Sequence, residues 1–112
     1  MESKTLNVGT IGKKSLLVEE RYCTRRRDYL IFSTPNMVQL AEWAAMEALL
    51  PFLREGDVSV GTRLEVLHQA PTLEGMNVRA VATLTEIDGA RLVFDIKVFD
   101  ELGKVGQVSH ER

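Results

Sequence analysis

TPNMVQLAEWAAMEALLPFL, residues 34–53, is the stretch on which the fold turns. Met37, Val38, Ala41, Ala44, Ala45, Ala48, Leu49 and Phe52 recur at helical spacing and make one broad apolar face. Leu40, Trp43 and Met46 carry apolarity round to the other side, so the helix is too apolar for a surface position and has to be wrapped by other structure. Its alanines let a second backbone come close. Threonine at 34 suits an N-cap, and proline at 35 suits the first helical position, where no amide donor is needed. The spacing predicts a helix from Pro35 to Leu53, closed by Arg54-Glu55-Gly56-Asp57 with Gly56 as the C-terminal cap.

Downstream of the helix the period changes to two. Val58, Val60, Thr62, Leu64, Val66 and His68 fall on one face of a strand that runs to Gln69, and this face is expected to meet the helix. Ala70 to Gly75 is a turn containing Pro71, Asn77 to Ile87 a second strand, and Asp88-Gly89 a hairpin turn. Arg91 to Phe99 follows with Leu92, Phe94, Ile96 and Val98 on one face, then a turn at Asp100 to Gly103 and a last strand from Lys104 to Arg112, in which the sequence stops. Upstream, residues 1–13 read as a loose arm, Lys14 to Tyr22 as a first strand, and TRRRDYLIFS, residues 24–33, as a loop into the helix. The order is strand, helix, then four strands in a meander, which makes an α+β layer arrangement.

The 112 residues fit a single domain spanning 1–112, and an apolar fraction of 45% supplies a core that is mostly aliphatic, since aromatics make up 6%. A net charge of −2 with interspersed signs gives no global field for nucleic acid or an anionic membrane. Cys23 is the only cysteine, so there is no internal disulfide and no cysteine metal site, and His110 with Glu111 falls short of a ligand set. No run reaches transmembrane length and the N-terminus lacks a signal-peptide core, so a cytoplasmic domain is expected.

Three polar residues stand out against this scaffold. Thr34 is an N-cap by position, yet the same hydroxyl can serve as a nucleophile if a base takes its proton. The two roles compete for the first-turn amides, including that of Asn36, which could otherwise hold an oxyanion. Glu42 sits at the border of the apolar face, where the wheel alone favours a half-exposed carboxylate whose stem covers apolar surface. His68 points inward by alternation, and with a carboxylate and a hydroxyl as candidate neighbours it is a candidate general base. Arg25, Arg26 and Arg27 read first as a solvated loop and second as a contact for phosphates.

One long helix wrapped by a curved antiparallel sheet resembles the hot-dog fold of acyl-CoA thioesterases and dehydratases. Thr34, Glu42-Trp43-Ala44, Gly61-Thr62 and His68, together with the terminal Ser109-His110-Glu111-Arg112, resemble the fluoroacetyl-CoA-specific thioesterase type. The resemblance implies thioester hydrolysis, with Thr34, Glu42 and His68 as the catalytic group. It also implies Gly61 beside the acyl group, and a homodimer, or a dimer of dimers, with CoA sites at the subunit interface. Beside them, Pro35, Asn36, Phe32 and Arg112 are taken as substrate-binding candidates, and no cofactor is needed beyond the CoA of the substrate. This chain departs from the type in its short segment before the helix, where the family has a longer Phe-bearing lid, and in Pro35, which stands in place of a glycine and removes a donor. Fluoroacetyl specificity is therefore not carried over. Leu30, Ile31 and Phe32 would line a small pocket, favouring short or aromatic acyl groups. A non-catalytic acyl-CoA binder and a hot-dog hydratase or dehydratase remain as rival functions, since fold alone does not choose among them.

Overall fold

A computed structural model describes residues 5–112; the first part of the expected N-terminal arm lies outside the described residues. The chain forms strands β1 (Ile11–Leu17), β2 (Cys23–Arg26) and β3 (Tyr29–Phe32), helix α1 (Thr34–Leu49), and strands β4 (Arg63–His68), β5 (Asn77–Asp88), β6 (Arg91–Asp100) and β7 (Gly103–Glu111). Five strands make one antiparallel sheet in the order β1-β5-β6-β7-β4, and β2 and β3 make a separate hairpin. This is the expected long helix against a curved antiparallel sheet. The order differs from a simple meander: only β5, β6 and β7 follow one another in space, while β4 pairs with β7 at the far edge, Leu64 opposite His110 and Val66 opposite Val108. Irregular register after Leu84 in β5 and after Val98 in β6 marks bulges that bend the sheet around the helix.

Met37, Leu40, Ala41, Ala44, Ala45, Ala48 and Leu49 of α1 are fully buried, so Leu40 belongs to the core face rather than its far side. They meet Val78, Ala80, Ala82 and Leu84 of β5 and Phe94, Ile96 and Val98 of β6. The alanine stripe does admit a second backbone. At Gly12 in β1, an added Cβ would collide with the backbone of Ala44 and Ala48, so only glycine lets the strand cross the helix there. A methyl group in such a seat would force the helix off the sheet, costing about 1–3 kcal/mol or more.

Several boundaries move for local reasons. Pairing begins earlier than the expected first strand: Gly9 and Thr10 already bond to Leu84, and β1 ends at Leu17. Ser33, not Thr34, caps the helix, its hydroxyl accepting from the Asn36 amide, which agrees with the stronger capping preference of serine. The α-helix stops at Leu49 and tightens into a short 3-10 turn over Leu50–Phe52, because Pro51 offers no donor to continue the ladder. Gly56, with φ of +88°, serves the turn between Arg54 and Asp57 instead of capping the helix. Residues 58–62 lie outside β4, and Val58 and Val60 are 85% and 65% exposed rather than turned to the helix. The expected loop at 24–33 is a tight hairpin with Arg27, at φ of +54°, in its tip.

Candidate functional site

The hairpin and the helix start are joined before any chemistry begins. Ser33 N–H bonds to Tyr22 C=O, and the Asn36 side chain donates to Tyr22 C=O and to Ser33 Oγ. Phe32 N–H bonds to Thr72 C=O at 2.8 Å, and the Thr72 hydroxyl donates to Asp100, which anchors the 70–75 turn beneath the hairpin. Asn36 and Phe32 are thereby spent on structure. Phe32 is fully buried in the core, and the amide of Asn36 already has Ser33 Oγ as its acceptor. Pro35 is exposed and brings no donor, leaving the Thr34 amide as a first-turn donor that the helix itself cannot use.

Because Ser33 caps the helix, the Thr34 hydroxyl is free, and it lies 2.7 Å from His68 Nδ1. Thr34 is exposed while His68 is half-buried, and the imidazole pKa is lowered from its ordinary 6.5 by burial. The ring is therefore neutral at pH 7 and can accept the threonine proton at Nδ1. His68 Nε2 is buried without a hydrogen-bond partner among the described residues. Beside the ring opens a cavity of about 240 Å³ lined by Ile31, His68, Gln69, Ala70 and Pro71. Of the three apolar residues expected to form the pocket, Ile31 is the one that does.

Glu42 is not at this pair. Eight residues further along α1, about 12 Å by helical rise, its carboxylate lies 3.6 Å from Arg112 Nη1. So the structure brings Thr34 and His68 together and leaves Glu42 in a second cluster within the same chain. That cluster is held by Arg112, whose side chain is 5% exposed. Its Nε donates to Ser59 Oγ and its Nη2 to Ser59 C=O, both at 2.9 Å, and Nη2 also meets Met46 Sδ. Its Nη1 lies 3.0 Å from His110 Nε2. Since a guanidinium only donates, Nε2 of His110 is the lone-pair nitrogen and Nδ1 carries the proton, donated to Arg63 C=O at 3.1 Å. His110 is fully buried, and burial lowers its pKa, with the neighbouring Arg112 charge acting the same way. Gly61 completes the cluster: a Cβ there would come within 2.9 Å of both Glu42 Oε2 and His110 Cε1.

The contacts that His110, Ser59 and Met46 make with Arg112 have no signal in the sequence. The resemblance singled out the terminal tetrapeptide, but no spacing connects residue 110 or 112 to residue 59. Among the described residues, no group of three His, Cys, Asp or Glu side chains gathers as a metal site, and no helix is long and apolar enough to cross a membrane. Cys23 is half-buried and its thiol pKa is raised by burial and by Glu74 and Glu20, which makes it a poor nucleophile.

Comparison with known proteins agrees with this architecture. The sequence profile of the family described as fluoroacetyl-CoA-specific thioesterase matches residues 18–112. The fluoroacetyl-CoA thioesterase of Streptantibioticus cattleyicolor is 38% identical over 82 residues, which are 73% of this chain and 59% of that protein, so the match spans less than two thirds of the relative's own length. A solved structure of the fluoroacetyl-CoA thioesterase superposes with a TM-score of 0.89 at 29% identity, over 96% of this chain and 87% of that one. A hot-dog-like protein from Thermanaerovibrio acidaminovorans superposes with a TM-score of 0.85 at 30% identity, over 94% of this chain and 80% of that one.

Proposed function

The chain belongs to the fluoroacetyl-CoA-specific thioesterase family, and from that premise we propose that it is a cytoplasmic acyl-CoA thioesterase acting on small acyl groups. The observation that carries the reading is the Thr34–His68 hydrogen bond of 2.7 Å, with His68 lining the 240 Å³ cavity. Neutral His68 takes the Thr34 proton as the hydroxyl oxygen adds to the thioester carbonyl. The oxyanion so formed faces the positive end of α1, where the Thr34 amide is the donor in place. Collapse of the tetrahedral species expels CoA as its thiolate, which takes the proton back from His68, and water then hydrolyses the acyl-threonine by the same base. In the direct route His68 deprotonates water and Thr34 positions it. Trapping acyl-Thr34 by mass spectrometry selects the first route. No cofactor takes part in either, since CoA arrives as part of the substrate.

A homodimer supports this chemistry better than one chain. Among the described residues His68 Nε2 lacks an acceptor, and Glu42, its side chain 29% exposed, lies on the helix that begins at Thr34 but out of reach. Strand β4 is an open sheet edge that carries exposed Leu67 and is preceded by exposed Val58 and Val60, a surface suited to a second copy. We infer that a dimer with the site at the subunit interface is what brings a Glu42 carboxylate to Thr34 and His68, and that Gly61 and Arg112 serve the substrate through that carboxylate, Gly61 by leaving room beside it and Arg112 by fixing its place.

Thiol release from short, branched, aromatic and long acyl-CoAs, with native protein and His68→Ala side by side, tests the function. Release that depends on His68 confirms it and identifies the acyl class. Saturable binding of CoA esters with no release overturns it.

A further inference from the structure

The three arginines of the β2–β3 hairpin have no part in the chemistry described so far. Among the described residues Arg25, Arg26 and Arg27 are all exposed and none forms an ion pair, although the chain as a whole carries a net charge of −2. Their placement is set by the hairpin register. Arg26 pairs directly with Tyr29 and Thr24 with Ile31, so these four side chains share one face of the ribbon. Ile31 on that face lines the His68 cavity. Tyr29 and Arg26 therefore lie about 7 Å further out along the same face, two residues of strand rise from the cavity wall. Tyr29 is 60% exposed, so its ring is a free platform. Arg26 spends one Nη on the Arg25 carbonyl and keeps the rest of its fork. Arg27 holds the tip in the left-handed region, at φ of +54°, a conformation that glycine or asparagine adopts with less strain.

We propose that this face of the hairpin binds the phosphate and adenosine end of CoA, with Arg26 and Arg27 on the phosphates and Tyr29 stacked on the adenine ring. The proposal rests on the thioesterase reading for the position of the acyl end, and it makes the hairpin the element that selects CoA thioesters over simpler ones. A polyanionic substrate gains nothing from a chain of net negative charge, so its attraction has to be local. Guanidinium forks suit phosphate oxygens, and an aromatic ring accepts any purine face. The exposed aromatic paired across from an arginine favours a nucleotide over an acidic protein surface, which would use the charge alone.

The test compares native protein with Arg26→Gln/Arg27→Asn, where asparagine keeps the turn conformation at 27, and with Tyr29→Ala. Binding of CoA itself is measured by calorimetry at low and high salt. Turnover is measured on one acyl group carried by CoA and by N-acetylcysteamine, which has neither phosphate nor adenine. CoA binding about tenfold weaker for each arginine removed is expected, with a flatter salt dependence. Acyl-CoA turnover falls through KM, and N-acetylcysteamine turnover stays unchanged. Equal CoA affinity in native and variant proteins overturns the proposal. So does an equal loss on both thioesters, which would make the hairpin a wall of the cavity only. If the native protein hydrolyses neither thioester yet binds CoA through the hairpin, the thioesterase reading fails and this proposal stands.

Discussion

The first turn of α1 and its middle each set a polar group of the helix near an imidazole of the sheet, and the surroundings of the two histidines differ in kind. His110 is enclosed, with both ring nitrogens bonded, to Arg63 C=O and Arg112 Nη1. His68 stands at a cavity with one nitrogen on an exposed hydroxyl and the other without a partner among the described residues. A satisfied buried network rigidifies, whereas an incompletely satisfied group stays available to a ligand. Burial lowers both pKa values, so titration alone would not tell the two apart. The difference lies in partners and access.

Mutation can break this comparison, starting from the largest effect. His68→Ala is expected to lower thioester turnover about 10²–10⁴-fold, while thermal unfolding stays close to native, because a group with an unpaired buried nitrogen contributes little to stability. Thr34→Ala should behave alike, with Thr34→Ser recovering part of the rate. A His68→Ala protein that keeps its rate, or one that melts far below native, would erase the distinction from this side.

Arg112→Met should show the opposite pattern. Removing a charge bonded to Ser59, His110 and Met46 and lying beside Glu42 strands buried partners, at a cost of about 3–5 kcal/mol. The readout is the unfolding midpoint in urea, and a midpoint unchanged from native would show that the cluster is no clamp. Gly61→Ala sharpens the point within the cluster. Its methyl group would press on Glu42 Oε2 and His110 Cε1, so a loss of about 1–3 kcal/mol is expected, with turnover reduced as the carboxylate shifts.

Acid gives a smaller effect on stability and a clear one on rate. Both histidines have folded pKa values below the unfolded 6.5, so the unfolded chain binds more protons in the window beneath 6.5. Stability is complete above that value and declines as pH falls from it toward the folded pKa values. The kcat/KM profile should drop on the acid side with a pKa under 6.5 that vanishes in His68→Ala and persists in Arg112→Met. Smallest of all, Ser33→Ala removes the true cap and should cost about 1 kcal/mol by thermal unfolding, with turnover retained.

How much of this was legible in the sequence depended on the range of the signal. The α1 pattern and the β6 alternation are local and periodic, and the structure shows both. The hairpin was missed because each strand has only four residues, and TRRRDYLIFS splits into a charged half and an apolar half with no alternation in either. Thr34 was placed as the cap because serine and threonine are adjacent; shifting the cap by one residue frees the hydroxyl and removes the conflict between capping and chemistry. Val58 and Val60 continue the alternation of β4, yet a period of two does not say whether a valine meets its own core or an open edge. The Arg112 cluster joins residues 42, 46, 59, 61 and 110, and no local pattern encodes a contact of that reach.

The sheet order bears on how the chain assembles in time. Strand β1 lies against β5, with Ile11 opposite Thr83 and Leu17 opposite Asn77, and Gly12 is pressed on α1. During synthesis the first strand therefore emerges well ahead of its only partner in the sheet, with the whole helix between them. Until β5 follows, β1 can dock on the alanine stripe but has no ladder to join. Loop closure over that separation is entropically demanding. Refolding should accordingly run in milliseconds to seconds rather than microseconds, with amides of β1 among the last to become protected from hydrogen exchange.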